Sequence, residues 1–274
     1  MKRADFSKLE QVSKKIVKLA LLDELFDFGI NSKQAKRVIR SRVLKTQFLK
    51  MYIDFHTHKP LYSKDENVLE VISTHKNIKY ESEYFTVGHH PWWTNAALSE
   101  TDLLNMEKLL SNKYCLGIGE CGLDKLKGAS KEVQEEVFYQ HIMLANKKDA
   151  PLIVHCVRQY DQILNFKKKY GNTLWIIHGF RRNQQLAKSL IDQGIMLSVS
   201  PFERMNDSFT AMLQFLPANS YFIETDSEYS LTIVERYQLM AKTKKVDLEA
   251  LKEVMRLNFD RFLGEKMLLS KNGV

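Results

Sequence analysis

The sequence predicts an α/β fold, a (β/α)8 TIM-type barrel preceded by a basic helical extension. Three observations predict it. From Met51 onward, eight short apolar runs alternate with helical stretches, the linear form of a strand–helix repeat. Residues 51–274 come close to the roughly 250 residues that such a barrel takes. Polar, metal-competent side chains recur at the C-terminal ends of the apolar runs, where barrels of this kind carry their functional groups.

The chain divides at Met51. Residues 1–50 hold 13 Lys/Arg against 5 Asp/Glu, a net charge of +8, so residues 51–274 carry 28 of each and are neutral. Phe6, Leu9, Val12, Ile16, Leu19 and Phe26 fall at helical spacing, with Gly29 placed to end that helix. Asn31 or Ser32 can cap a second helix that has Ala35, Val38, Ile39, Val43 and Leu44 on its apolar side. This predicts a basic helical hairpin over 1–50, too small to hold a core alone. A helix-turn-helix reading has only periodicity in its favour.

Residues 51–274 are expected to form one hydrolase barrel. Strands are expected at 52–56, 68–73, 84–88, 114–119, 151–155, 173–178, 195–199 and 221–225. Helices are expected at 99–112, 131–148, 159–169, 183–193, 207–216, 231–243 and 247–263. The second and third units are irregular, since Thr74 to Glu83 leaves little room for a helix. No run of 18 apolar residues offers a membrane span. The apolar stretch from Ile16 to Phe28 is broken by charges and is no signal peptide. Cys115, Cys121 and Cys156 lack CxxC spacing, which reads as three free thiols in a reducing cytoplasm.

Strand one opens the chemistry. In Asp54-Phe55-His56-Thr57-His58 the two imidazoles lie one pleat apart and can grip one metal ion. Asp54, another pleat back, is placed to hold or orient a ligand. Strand four ends at Glu120, strand five in His155, strand six in His178 and strand eight in Asp226. Any one of these is a common strand-end residue. Four histidines and two carboxylates converging on one mouth exceed what a tetrahedral ion needs and fit two ions sharing a carboxylate. Buried without metal, they would leave several polar groups unsatisfied. Two divalent ions can clamp the attacking and leaving oxygens of a phosphoryl displacement, so hydrolysis is the expected class.

The motif series Asp54-Phe55-His56-Thr57-His58, Gly88-His89-His90-Pro91, Gly119-Glu120-Cys121-Gly122-Leu123-Asp124, the strand ending in His155, His178-Gly179-Phe180 and Glu224-Thr225-Asp226 resembles that of the TatD-family metal-dependent deoxyribonucleases. It runs in the family's order across 51–274. The resemblance implies a metal-dependent phosphodiesterase acting on DNA, with single-stranded DNA as substrate and 3′→5′ exonucleolytic action. It implies His56, His58, Glu120, His155, His178 and Asp226 as metal ligands. Glu120 would bridge two divalent ions (Zn, Mn or Mg), and Asp226 would orient or deprotonate the attacking water. Three positions depart from the family's usual pattern: Arg181-Arg182 after Phe180, Val157-Arg158 where an arginine usually falls one residue earlier, and His89 in an apolar position. These bear on substrate choice.

Around the mouth, His90, Arg181 and Arg182 are expected to contact phosphate, and Trp92 or Trp93 to stack a base. The alternatives are a solvated loop for the arginines and an apolar lid for the tryptophans. Cys121 and Cys156 are assigned to packing, Asp124 to support of the strand-four loop, and His75 and His141 to structural or exposed roles. Two other readings remain on the same barrel: a hydrolase of another phosphate ester or amide, or a non-catalytic nucleic-acid-binding protein using the basic hairpin. Histidinol-phosphatase-type relatives finish with Asp-x-His, where this chain has Asp226-Ser227-Glu228. Amidohydrolases commonly carry a modified lysine where Glu120 stands.

Overall fold

The computed structural model describes residues 51–61, 67–74 and 84–263. The expected basic hairpin over 1–50 and His75 lie outside the described residues.

Eight parallel strands form a single sheet in sequential order, β1 (Tyr52–Thr57), β2 (Val68–Thr74), β3 (Tyr84–Val87), β4 (Cys115–Asp124), β5 (Leu152–Val157), β6 (Trp175–Ile177), β7 (Ile195–Val199) and β8 (Tyr221–Ile223). A parallel bridge between Thr57 and Asp226 brings the ends of the sheet together. There the Asp226 amide donates to the His56 carbonyl at 2.8 Å and the His58 amide donates to the Asp226 carbonyl at 3.3 Å. The result is a TIM-type (β/α)8 barrel.

Helices α1 (Glu100–Leu110), α2 (Lys131–Lys148), α3 (Tyr160–Tyr170), α4 (Gln184–Asp192), α5 (Asp207–Phe215), α6 (Ile233–Lys244) and α7 (Leu248–Leu263) follow the strands from β3 onward. Their starts are written locally. Ser99, Ser130, Asn183, Asn206 and Thr232 each accept a first-turn amide, and the Ser99 and Thr232 amides donate in return to the Asp102 and Glu235 carboxylates. The apolar strand residues pack outward against these helices. Phe55, for instance, stacks on Phe222 at 3.9 Å and meets Phe262 edge-on at 4.9 Å. Each fully buried side chain of this size contributes about 1.5–3 kcal/mol.

Three strand pairings slip in register, β3–β4 between Phe85 and Thr86 and two others that carry site residues. The β1–β2 register slips one residue between Asp54 and Thr57, and the β4–β5 register slips between Ile118 and Cys121. A bulge re-aims the side chains beside it. Strand β4 also runs five residues past its expected end, placing Glu120 mid-strand rather than at a strand end. Gly119 and Gly122 make this possible. Both have positive φ (152° and 141°), and a Cβ on Gly119 would sit 2.6 Å from the Ile153 carbonyl oxygen.

Candidate metal centre

Glu120 lies at the middle of the barrel mouth, and its two carboxylate oxygens face different groups. Oε2 is 3.4 Å from His56 Nε2 and 3.4 Å from His58 Nε2. Oε1 is 2.9 Å from His90 Nε2, 2.8 Å from His155 Nδ1 and 2.7 Å from His178 Nε2. Asp226 joins the first set, its Oδ1 3.2 Å from His58 Nε2 and 3.9 Å from His56 Nε2. The structure therefore brings together all six residues singled out as ligands, and adds His90. Among the described residues, three donor groups are compact enough to hold an ion: His56/His58/Asp226, His56/Glu120/His178 and His90/Glu120/His155.

Electrostatics set this cluster apart from an ordinary buried network. Burial by itself would raise the Glu120 pKa, but the His178 charge and hydrogen bonds from His155, His178 and His56 hold it well below the usual carboxylate range. His56 is pushed down to about 4, mainly by burial. Burial also opposes protonation of His178, yet the Glu120 charge lifts it to about 10. For Asp226 burial works against ionisation, while the His58 hydrogen bond and the charges of His178 and His56 keep the carboxyl below its ordinary range. His178 Nδ1 is buried without a hydrogen-bond partner, and His56 Nε2 and Glu120 Oε2 meet each other only at a long 3.4 Å, which leaves their hydrogen-bonding capacity largely unmet. Such orphans are costly in a folded interior. A mixed imidazole–carboxylate set with unmet lone pairs fits a divalent cation.

The groups behind the cluster are tied by specific bonds. His155 Nε2 lies 3.0 Å from Asp124 Oδ2, which also accepts from Trp92 Nε1 at 2.6 Å. Asp124 Oδ1 accepts the Leu126 and Lys127 amides, the loop support expected of it. Gln134 of α2 spans the same loop, its amide bonding Asp124, Lys127 and Ala129. The Trp92 amide donates to His90 Nδ1 at 3.0 Å, so neutral His90 carries its proton on Nε2, toward Glu120. Cys121 and Cys156 are buried, with Cys121 Sγ donating to the Ile153 carbonyl.

Asp54 acts one residue away from a candidate ligand: its carboxylate accepts the Thr225 amide at 2.9 Å and the Thr225 hydroxyl at 2.6 Å. These bonds steady the residue before Asp226, whose backbone is left-handed (φ 55°). Two participants escaped the sequence reading. Glu224 accepts the Gly179 amide at 2.6 Å, just past His178, and burial lifts its carboxyl to about 7. Arg236 is fully buried on α6, donating to the carbonyls of Pro201 and Glu228 in the loops after β7 and β8. The period-two spacing of Glu224 from Asp226 was a usable signal. Arg236 looked like any helix surface charge.

The rim residues stand farther out. Trp92 and Trp93 are 37% and 48% exposed, and Lys127 Nζ lies 4.2 Å from the Trp92 ring. Arg181 stacks over Phe202 at 4.5 Å, and Arg182 lies 6.0 Å from the Tyr160 ring. The two adjacent arginines thus diverge, Arg181 toward the loop after β7 and Arg182 toward the start of α3.

The sequence profile of the family described as TatD related DNase matches residues 26–264. The chain is similar to the 3′-5′ ssDNA/RNA exonuclease TatD of Salmonella typhimurium, at 28% identity over 163 residues (56% of this chain, 61% of that protein). It is also similar to an uncharacterised metal-dependent hydrolase of Methanocaldococcus jannaschii, at 26% identity over 200 residues (67% of this chain, 77% of that protein). The chain spans only 55–61% of the length of several curated relatives it matches. Among solved structures, a TatD homolog from Escherichia coli superposes with TM-score 0.63 at 19% identity, covering 78% of this chain and 98% of that one. A TatD-family hydrolase from Entamoeba histolytica gives TM-score 0.64 at 15% identity, again covering 78% and 98%.

Proposed function

Because the chain belongs to the TatD-related DNase family, we propose that it is a divalent-metal-dependent phosphodiesterase that hydrolyses nucleic acid, acting 3′→5′ on single strands. The observation that carries this reading is the split of Glu120, with one oxygen toward His56 and His58 and the other toward His155 and His178. On this reading His56, His58 and Asp226 would hold one divalent ion and His155 and His178 another, with Glu120 serving both and His90 beside the second. Zn, Mn or Mg would suit, the imidazoles favouring the first two. Once bound, such ions supply Lewis-acid charge for the phosphate and acidify water.

The chain's own residues do the rest. Asp226, kept ionised by His58, accepts the proton of the attacking water at Oδ1 or Oδ2. His90 donates its Nε2 proton in a hydrogen bond to Glu120 and can turn that hydrogen bond toward a phosphate oxygen when substrate enters. Arg181 and Arg182 steady the strand's phosphates from the rim, each braced on a ring. Trp92 and Trp93 offer ring surface to an unpaired base.

The test pairs metal analysis of the purified protein with cleavage of end-labelled single- and double-stranded DNA and RNA. Two divalent ions per chain, chelator-sensitive cleavage and mononucleotides released from 3′ ends are the expected results. Metal-free protein with activity indifferent to chelators would overturn the reading.

A further inference from the structure

We propose that the loop after β5 forms a nucleotide subsite beside the metal centre, taking the base and phosphate of a residue next to the cleaved bond. The inference rests on the nucleic-acid reading above and extends it from the reacting phosphate to the strand that carries it. A cavity of about 260 Å³ opens there, lined by Arg158, Gln159, Tyr160, Asp161 and Leu186. Arg158 stands three residues past His155, roughly 10 Å of extended chain, so the cavity is a neighbour of the centre and not part of it. At Arg158 the backbone turns left-handed (φ 55°), ending the strand and wrapping the chain around the cavity before α3 begins.

The lining has the chemistry of single-strand recognition. Arg158 is exposed and makes no ion pair among the described residues, leaving its planar fork for a phosphate. Tyr160 offers a ring braced edge-on by Phe180 at 6.0 Å. Base stacking on such a ring tolerates every sequence. The Gln159 amide and the Asp161 carboxylate supply a donor and acceptors for a base edge, and Leu186 supplies the apolar wall. Arg182, near the Tyr160 ring, extends the cationic surface toward His178. The volume lies below the roughly 300–1,000 Å³ of drug-sized ligand pockets, which suits one nucleotide rather than a folded or double-stranded ligand.

The experiment compares the full-length, metal-loaded wild type with Arg158→Gln, which removes the charge from an exposed position, and Leu186→Trp, which fills the cavity from α4. Substrates are bis(p-nitrophenyl) phosphate and single-stranded DNA di-, tetra- and octanucleotides. Wild-type kcat/KM should rise with length. Each variant should lose roughly tenfold on the longer strands, mainly through KM, while bis(p-nitrophenyl) phosphate turnover stays unchanged. Should Leu186→Trp fold poorly, Arg158→Gln alone decides. Variants equal to wild type on every oligonucleotide would overturn the subsite and leave the nuclease reading standing. An equal loss on the small ester would also overturn it, since the loop would then be serving the centre itself. A wild type that cleaves the small ester but no oligonucleotide would remove the nucleic-acid reading and this inference together.

Discussion

Glu120 and His141 show how much one side chain's surroundings decide. Glu120 is an ordinary carboxylate made central by five imidazole nitrogens within 3.4 Å. Glu120→Gln keeps the volume but removes the charge that two ions would share. Turnover should fall on the order of 10³-fold, with metal content reduced and the circular dichroism spectrum preserved; wild-type turnover at saturating metal would refute the assignment. His141 lies outside the cluster, fully buried on α2, facing the Val137 carbonyl through Nδ1 at 2.7 Å and accepting the His89 amide on Nε2 at 3.0 Å. Burial lowers it to about 4 from 6.5. Above pH 6.5 the ring is neutral whether folded or unfolded, and the contact is at full strength. As pH falls from 6.5 to about 4, the unfolded chain takes up a proton that the folded chain refuses, so stability declines and then levels off. The ceiling is on the order of 3 kcal/mol. Thermal melts across that window should show a shallower decline for His141→Gln than for the wild type in the same metal buffer.

At the level of the element, β4 sets the centre's position. Its bulge and its two positive-φ glycines let the strand press against β5, so that Glu120 and His155 meet although they belong to different strands. A Cβ at Gly122 would run into the His155 carbonyl, and the residue's φ of 141° is itself unfavourable for an L side chain. Gly122→Ala should therefore cost about 3 kcal/mol, a fall in Tm of about 6–12 °C for a domain of this size. It should also weaken metal binding by displacing His155. An unchanged Tm would mean that β4 tolerates a side chain where the structure leaves no room. Apolar runs mark where a strand is buried on both faces, and by that pattern β4 ends at residue 119. The continuation through Glu120, Gly122 and Asp124 is polar or glycine, and only pairing with β5 shows it to be strand.

For the whole molecule, the charge distribution is the open lever. The net +8 belongs to residues 1–50, while 51–274 balance at 28 cations and 28 anions. We propose that 51–274 act as the catalytic barrel and that the extension adds sequence-independent affinity for nucleic acid. A chain beginning at Met51 should keep hydrolysing a small phosphodiester but bind single-stranded DNA more weakly. Its log–log salt dependence should also be shallower, since each lost phosphate contact removes about 0.7 from the slope on single strands. Fluorescence titrations at several salt concentrations measure both; identical affinities and slopes would leave the extension without that role. Among the described residues no helix is long and apolar enough to cross a membrane.

The sequence by itself determined the strand–helix alternation, the family, and which polar residues lie near the strand ends, because burial and period leave their mark on every residue of an element. Asp54-x-His56-x-His58, Glu120, His155, His178 and Asp226 were legible for that reason. Only the tertiary structure decided how they meet. Barrel closure set Asp54 against Thr225, and a one-residue register slip in β4, which has no compositional signature, accompanies the placing of Glu120 between two donor sets. The loop after β3 brought His90 onto Glu120, and α6 brought the buried Arg236 beneath the loops after β7 and β8. Such contacts join residues far apart in the chain. Their geometry depends on the closure of the barrel, which no local pattern encodes.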